Sequence, residues 1–295
     1  MLLLIPSDSP RWALEGVSPS PHPKALLRAG GAVAPATLLR FPLILDPEEI
    51  PAFPEKKALA VLSPDYAWIR WAKERGMRAV WLNPQGRSSP EPHPPHDLEI
   101  SDLAALKNPL EFRLPDLAET LTILRGHGVP ENVIAHAAAV AGVAFFLAER
   151  LREKGIAVDP LLVHRGGLLH DLDKIASLNE GGAHGQRAAE LLANLGYPEL
   201  AEIARRHVLR PGQWPRTWPE KIVFLADKLL EGAEVVGLSA RLLFLKERYP
   251  EFQEEIAAGE VFARALQNQI LVALGLTEPE LLEMLRARNF HLPRL

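Results

Sequence analysis

Nineteen of the chain's 27 prolines fall in residues 1–130 and only eight in the 165 that follow. Proline removes a backbone donor and breaks helix interiors. The first part of the chain must therefore be built from short elements joined by stiff turns, whereas the second is free to form long helices. A length of 295 residues, against about 100–200 for one domain, agrees with two folding units. We place the division at residue 112, with domains over 1–112 and 113–295.

In the first domain, the apolar run 57–62 ends at Ser63 and Pro64, residues 66–75 have helical composition and stop at Gly76, and a second apolar run, 78–82, is closed by Asn83 and Pro84. Strand, helix and strand in that order make the unit of a parallel sheet covered by helices. Prolines 84, 90, 92, 94 and 95 mark a loop. From about Asp116 the pattern turns helical. Val133, Ala137, Val140, Ala144 and Leu147 recur at spacings of three and four on a long helix that starts near Pro130 and ends by Gly155. Asp159 before Pro160 is an N-cap followed by a first-turn proline. Further helices are expected at 184–195, 198–207, 219–231, 238–248, 260–274 and 278–288. The predicted fold class is α+β with two domains, a small α/β domain with a parallel sheet followed by an all-α domain.

Composition narrows the chemistry. Apolar residues at 47% and charged residues at 24% describe a globular chain. With no cysteine, disulfides and thiolate chemistry are excluded, and any metal must be held by nitrogen and oxygen. A net charge of −4 gives no electrostatic reason to expect nucleic acid or a membrane surface as the main partner. The opening apolar run is too short for a signal sequence, and no run approaches the roughly 18 residues that cross a bilayer, so the expectation is a soluble, cytoplasmic protein. Twenty-three arginines against ten lysines, with only 13 Asn and Gln, is a thermophile-like habit.

Three costly groups stand in apolar helical context. His136 shares a helix face with Val133, Val140 and Val143; His170 and Asp171 are adjacent at the end of an apolar helix; Asp227 shares a face with Val223 and Phe224. Buried imidazoles need partners, and buried carboxylates rise in pKa unless something positive holds them ionised. A cation bound by two imidazoles and two carboxylates answers all three cases, and such ligands suit Mn, Fe, Co, Mg or Zn.

The order His136, then His170 with Asp171, then Asp227 resembles the H, HD, D signature of the HD-domain metal-dependent phosphohydrolase superfamily, over about residues 114–250. The stretch LLHDLDK, Leu168 to Lys174, is similar to its central motif, with Leu172 and Asp173 where many members have Ile-Gly. The resemblance implies His136, His170, Asp171 and Asp227 as ligands for one or two divalent ions, with Asp171 as the bridge. His184 and His207 fall where dinuclear branches carry further histidines, and the resemblance implies that they ligate a second ion. Read alone, they are a helix N-cap and a helix C-terminal cation. Lys174 is similar to a lysine that would lie beside a substrate phosphate, against the alternative of a solvated helix end. Arg210 and Arg216 are candidate phosphate clamps or ordinary loop arginines. His22, His93, His96, His127, His164 and His291 match no motif position and are expected at the surface or in loops.

In the first domain, residues 65–86 and 96–103 resemble the C-terminal stretch of haloacid-dehalogenase-like hydrolases. That family's nucleophilic Asp-x-Asp is missing, since no aspartate directly follows the run Leu2–Ile5. A degenerate, non-catalytic domain is expected, with Asp65 its last acidic remnant. The resemblance of the helical domain implies hydrolysis of a phosphoester or phosphoanhydride, with a nucleotide as the substrate class. Two alternatives stand beside it: a regulatory module that binds metal and nucleotide with little turnover, and a mononuclear nucleotidase in which His184 and His207 are structural.

Overall fold

In the computed structural model the short apolar runs of the first domain pair as a parallel sheet. The structure describes residues 2–6, 8–9, 13, 17, 24–27, 44–45, 56–108, 110–180 and 184–292. Strands β1 (Leu2–Pro6), β2 (Lys24–Leu27), β3 (Ile44–Leu45), β4 (Leu59–Ser63), β5 (Arg78–Leu82) and β6 (Leu98–Ile100) are ordered 3-2-1-4-5-6, and every pairing is parallel. A parallel sheet is covered on both faces, which is why β1, β4 and β5 are continuous apolar runs rather than alternating ones. Alternate residues part to two cores: Leu3, Ile5, Ala60, Leu62, Val80 and Leu82 on one face, and Leu4, Leu59, Val61, Ala79 and Trp81 on the other. Helix α1 (Tyr66–Glu74) covers the second face through Ile69 and Ala72. Asp65, the expected acidic remnant, serves as the N-cap of α1 and accepts from Ala67 N at 2.8 Å. Asp8, past the end of β1, accepts from the Trp68 indole at 3.0 Å.

The chain divides into two compact units, one of residues 1–88 and 95–116, the other of 89–94 and 117–295. The main division thus falls after Asp116, four residues beyond the expected 112, and part of the proline-rich loop groups with the helices.

The second unit contains α2 (Leu117–Gly126), α3 (Glu131–Glu153), α4 (Pro160–Leu169), α5 (Lys174–Glu180), α6 (Gln186–Asn194), α7 (Pro198–Arg206), α8 (Trp218–Lys228), α9 (Leu238–Arg248), α10 (Gln253–Leu274) and α11 (Glu278–Arg286). Contrary to the sequence expectation, α3 is long and apolar enough to cross a bilayer, but 83% of its most apolar window is buried inside the protein. Its apolarity is that of a core helix. Small residues let it approach α4 closely: a Cβ on Gly167 would lie 2.6 Å from the Ala141 Cα. Helix α10 begins at Gln253 rather than 260, and two further elements depart from the predicted pattern. The helix expected to reach 231 stops at Lys228, and the chain turns into a hairpin of β7 (Leu230–Glu231) and β8 (Glu234–Val235), where Gly232 adopts φ +56°. Helix α5 was not expected at all.

Of the unassigned histidines, His93 and His96 lie in the loop but are buried, and His164, buried within α4, departs from the expectation of a surface or loop position. His127 and His291 are exposed, and His22 lies outside the described residues.

Candidate metal centre

Five elements deliver the six ligands that the sequence suggested. His136 lies on the first half of α3. Asp159 caps the start of α4 through Leu161 N and Leu162 N, and that helix ends with His170 as its C-cap and Asp171 beyond it. His184 immediately precedes α6, His207 is the C-cap of α7, and Asp227 is in the last turn of α8. All six are brought together.

Asp171 organises the cluster, because its two oxygens face different partners. Oδ2 lies 3.6 Å from His170 Nε2 and 3.9 Å from His136 Nε2. Oδ1 lies 2.9 Å from His184 Nε2 and 3.4 Å from His207 Nε2. On the first side Asp227 Oδ1 completes the set, 3.1 Å from His136 Nε2 and 3.8 Å from His170 Nε2. Among the described residues, two triads have potential ligand atoms within 4.8 Å of one another: His136, His170 and Asp227, and His170, Asp171 and His207.

Each imidazole is aimed by its outer nitrogen. His136 Nδ1 donates to Gly232 O, His170 Nδ1 to Gly167 O and His207 Nδ1 to Ala204 O, all at 2.7 Å, and His184 Nδ1 donates to Asp173 Oδ1 at 2.8 Å. Carbonyls and carboxylates only accept, so the proton sits on Nδ1 and Nε2 is left to face the centre. The β7–β8 turn thus has a use, since it presents the Gly232 carbonyl to His136. The buried His170 Nε2 has no hydrogen-bond partner at all. An orphaned, unprotonated nitrogen among carboxylates is the condition a divalent cation satisfies, and the all-nitrogen-and-oxygen donor set suits the metals named above.

Electrostatics agree. Burial alone would lift Asp171 and Asp227, but His170, His184, His207 and Lys174 hold the first well below the usual carboxylate range, and Lys228, His136 and His170 do the same for the second. Burial pushes His170 down to about 3 and lowers His207 as well. For His184 the same burial is outweighed by Asp171 and Asp173, which raise it to about 9, and Asp227 and Asp171 similarly raise His136.

Lys174 reaches the cluster, with Nζ 2.5 Å from Asp171 Oδ2 and its side chain 31% exposed. Arg210 is half-buried in the turn after His207. Arg216 is not brought to the site: it is exposed, just ahead of α8, whose far end holds Asp227 about 15 Å along the axis. Two residues went unread in the sequence. Lys228 is buried and donates from Nζ to Asp227 Oδ2 and to His207 O, both at 2.5 Å, so it ties two ligand-bearing elements together. Its signal was a lysine beside Asp227, directly after the apolar run 222–226. Asp173 holds His184, and its signal was the carboxylate in place of the motif's glycine.

The model of the HD domain matches residues 133–232, the stretch that contains all six candidate ligands. The chain belongs to the HD family, a superfamily of metal-dependent phosphohydrolases. Among particular relatives, it is 41% identical over 123 residues to the uncharacterized protein MJ0778 of Methanocaldococcus jannaschii, covering 37% of this chain and 72% of that protein. It is 34% identical over 101 residues to ribonuclease Y of Aquifex aeolicus and 33% identical over 141 residues to ribonuclease Y of Fervidobacterium nodosum. Those matches cover 34% and 44% of this chain but only 17% and 26% of the two ribonucleases. No solved structure gives a significant match.

Proposed function

We propose that the helical unit hydrolyses a phosphoester or phosphoanhydride of a nucleotide, using water activated at a site for two divalent ions. The observation that carries this reading is the division of the two Asp171 oxygens between His136 with His170 on one side and His184 with His207 on the other. His136, His170 and Asp227 would hold one ion, His184 and His207 the other, with Asp171 shared. Bound there, divalent ions supply a water acidified toward neutral pH and offset charge that builds on phosphate oxygens. The chain's own residues do the positioning. The four outward Nδ1 contacts fix the rings, and Lys228 holds Asp227 ionised against the last turn of α7. Lys174, partly exposed beside Asp171, would donate to a phosphate oxygen.

A second reading, cleavage of an internucleotide bond in RNA, is favoured by the relatives named ribonuclease Y. The test is to strip the full chain with chelator, restore Mn²⁺, and measure phosphate release from a nucleotide panel alongside cleavage of end-labelled RNA. Metal-dependent phosphate release is expected. RNA cleavage without nucleotide hydrolysis would favour the second reading, and nucleotide binding with neither activity would point to a regulatory module.

A further inference from the structure

Asp173 is buried, yet its carboxylate is saturated. Oδ1 accepts from His184 Nδ1 at 2.8 Å and from Gly185 N at 3.2 Å. Oδ2 accepts from Gly185 N at 2.9 Å and from Ala188 N at 3.0 Å. One carboxylate thus caps α6 and holds the imidazole that precedes it. The cap residue proper, Gly185, has no side chain to do this, and its φ of +84° and an added Cβ only 2.6 Å from Ala204 O both require glycine. Helix N-termini leave backbone N–H groups unsatisfied, and a carboxylate is their strongest acceptor. Ser177 Oγ, 3.4 Å from His184 Nδ1, already donates to Lys174 O.

We propose that Asp173 is a positioning residue for the second ion's ligand. It fixes His184 as the Nδ1–H form and sets its Nε2 2.9 Å from Asp171 Oδ1 and 3.0 Å from His207 Nε2. This rests on the two-ion reading above. The chemistry explains why a carboxylate is needed and an amide will not serve. In the Asp173→Asn variant the NH₂ group of the amide must face either His184 or the backbone donors. Facing His184, it would demand an accepting Nδ1 and move the ring proton to Nε2, where a ligand needs a lone pair. Facing Gly185 N and Ala188 N, it would set donor against donor at the start of α6.

The test is a Mn²⁺ titration of the full metal-free chain, followed by electron paramagnetic resonance, which counts free ion and shows a spin-coupled pair as its own signal. Wild type, Asp173→Asn, His184→Ala and the double variant are compared. Wild type is expected to bind two ions. Asp173→Asn should keep the first ion and weaken the second by about 10–100-fold, with loss of the coupled signal. Retention of the first ion shows that the helical unit is folded. The double variant should match His184→Ala alone, because Asp173 acts through that ring. Second-ion binding by Asp173→Asn at wild-type strength would overturn the proposal while leaving the two-ion reading intact. So would loss of both ions in Asp173→Asn, or a further loss in the double variant. One ion in wild type would remove the two-ion reading itself and this proposal with it.

Discussion

The four inward Nε2 atoms differ in whether they already hold a proton. His136 and His184 lie against carboxylate oxygens at 3.1 and 2.9 Å, and both are raised, whereas His170 and His207 are lowered by burial. In the metal-free protein, a proton on His184 stands in for a cation beside the ionised Asp171. Loading an ion there must expel it. With His184 at about 9, its Nε2 is protonated below that pH, so binding of the second ion should tighten about tenfold per pH unit from 6 to 8. Calorimetry in buffers of different ionisation enthalpy should show proton release with the second ion, and pH-independent affinity for it would contradict the assignment. His170 contributes no such proton, because it is already neutral at about 3. Its loss acts differently. His170→Ala and Asp171→Ala should each lower kcat by about 10³-fold or more while far-UV circular dichroism stays unchanged, since both remove the means of holding the ion. An effect on KM alone would indicate that these residues bind substrate and do not serve the chemistry.

Helices α3 and α4 meet through Ala141 and Gly167, and that close approach sets His136 against His170. A methyl at position 167 would strike the Ala141 backbone at 2.6 Å, which no rotamer change relieves. Gly167→Ala should therefore cost about 1–3 kcal/mol in chemical unfolding and weaken the first ion as well, because it separates two ligand-bearing helices. Unchanged stability and ion affinity together would show that the helix pair adapts. At this scale the sequence was legible where one signal spoke for one element. The cap at Asp159 with Pro160 marked the start of α4, and the long three-and-four spacing marked α3. The hairpin at 230–235 was not legible, because two-residue strands show no period and apolar Leu229 and Leu230 continue the helical pattern of α8. The His and Asp cluster could be read from a short motif and its helical context. Asp173 and Lys228 could not, because their partners, His184 and the His207 carbonyl, lie 11 and 21 residues away and only folding brings them near. The burial of His93 against His164 was not legible for the same reason, at a separation of 71 residues.

For the whole molecule, the segment 89–94 belongs with the helices although chain on both sides of it belongs to the sheet unit. Buried polar contacts tie it there. Ser89 N donates to Glu149 Oε1 at 2.7 Å, Arg165 donates to Pro94 O at 3.3 Å, and His93 bridges His164 Nε2 at 3.0 Å and Phe290 O at 2.9 Å. His93 thereby joins the loop, α4 and the segment after α11, three parts of the chain far apart in sequence. Burial lowers its pKa to about 4, and the Phe290 carbonyl offsets this only in part. The unfolded chain carries the same ring at 6.5. Above pH 6.5 neither state takes up a proton, and the folded protein has its full stability. Between 6.5 and 4 the unfolded state binds a proton that the folded state refuses, so stability falls with pH, and below 4 the loss levels off. At pH 5 the expected loss from this one residue is about 2 kcal/mol. His93→Gln does not titrate but keeps an amide to donate to Phe290 O. Urea unfolding of both proteins in chelator at pH 7 and pH 5 isolates the effect, since every other acid-sensitive group is common to the two. Wild type should lose about 2 kcal/mol more than His93→Gln over that interval. Equal losses would mean that His93 takes up its proton without leaving the folded state, and that contacts such as those of Ser89 and Arg165 keep the loop on the helices.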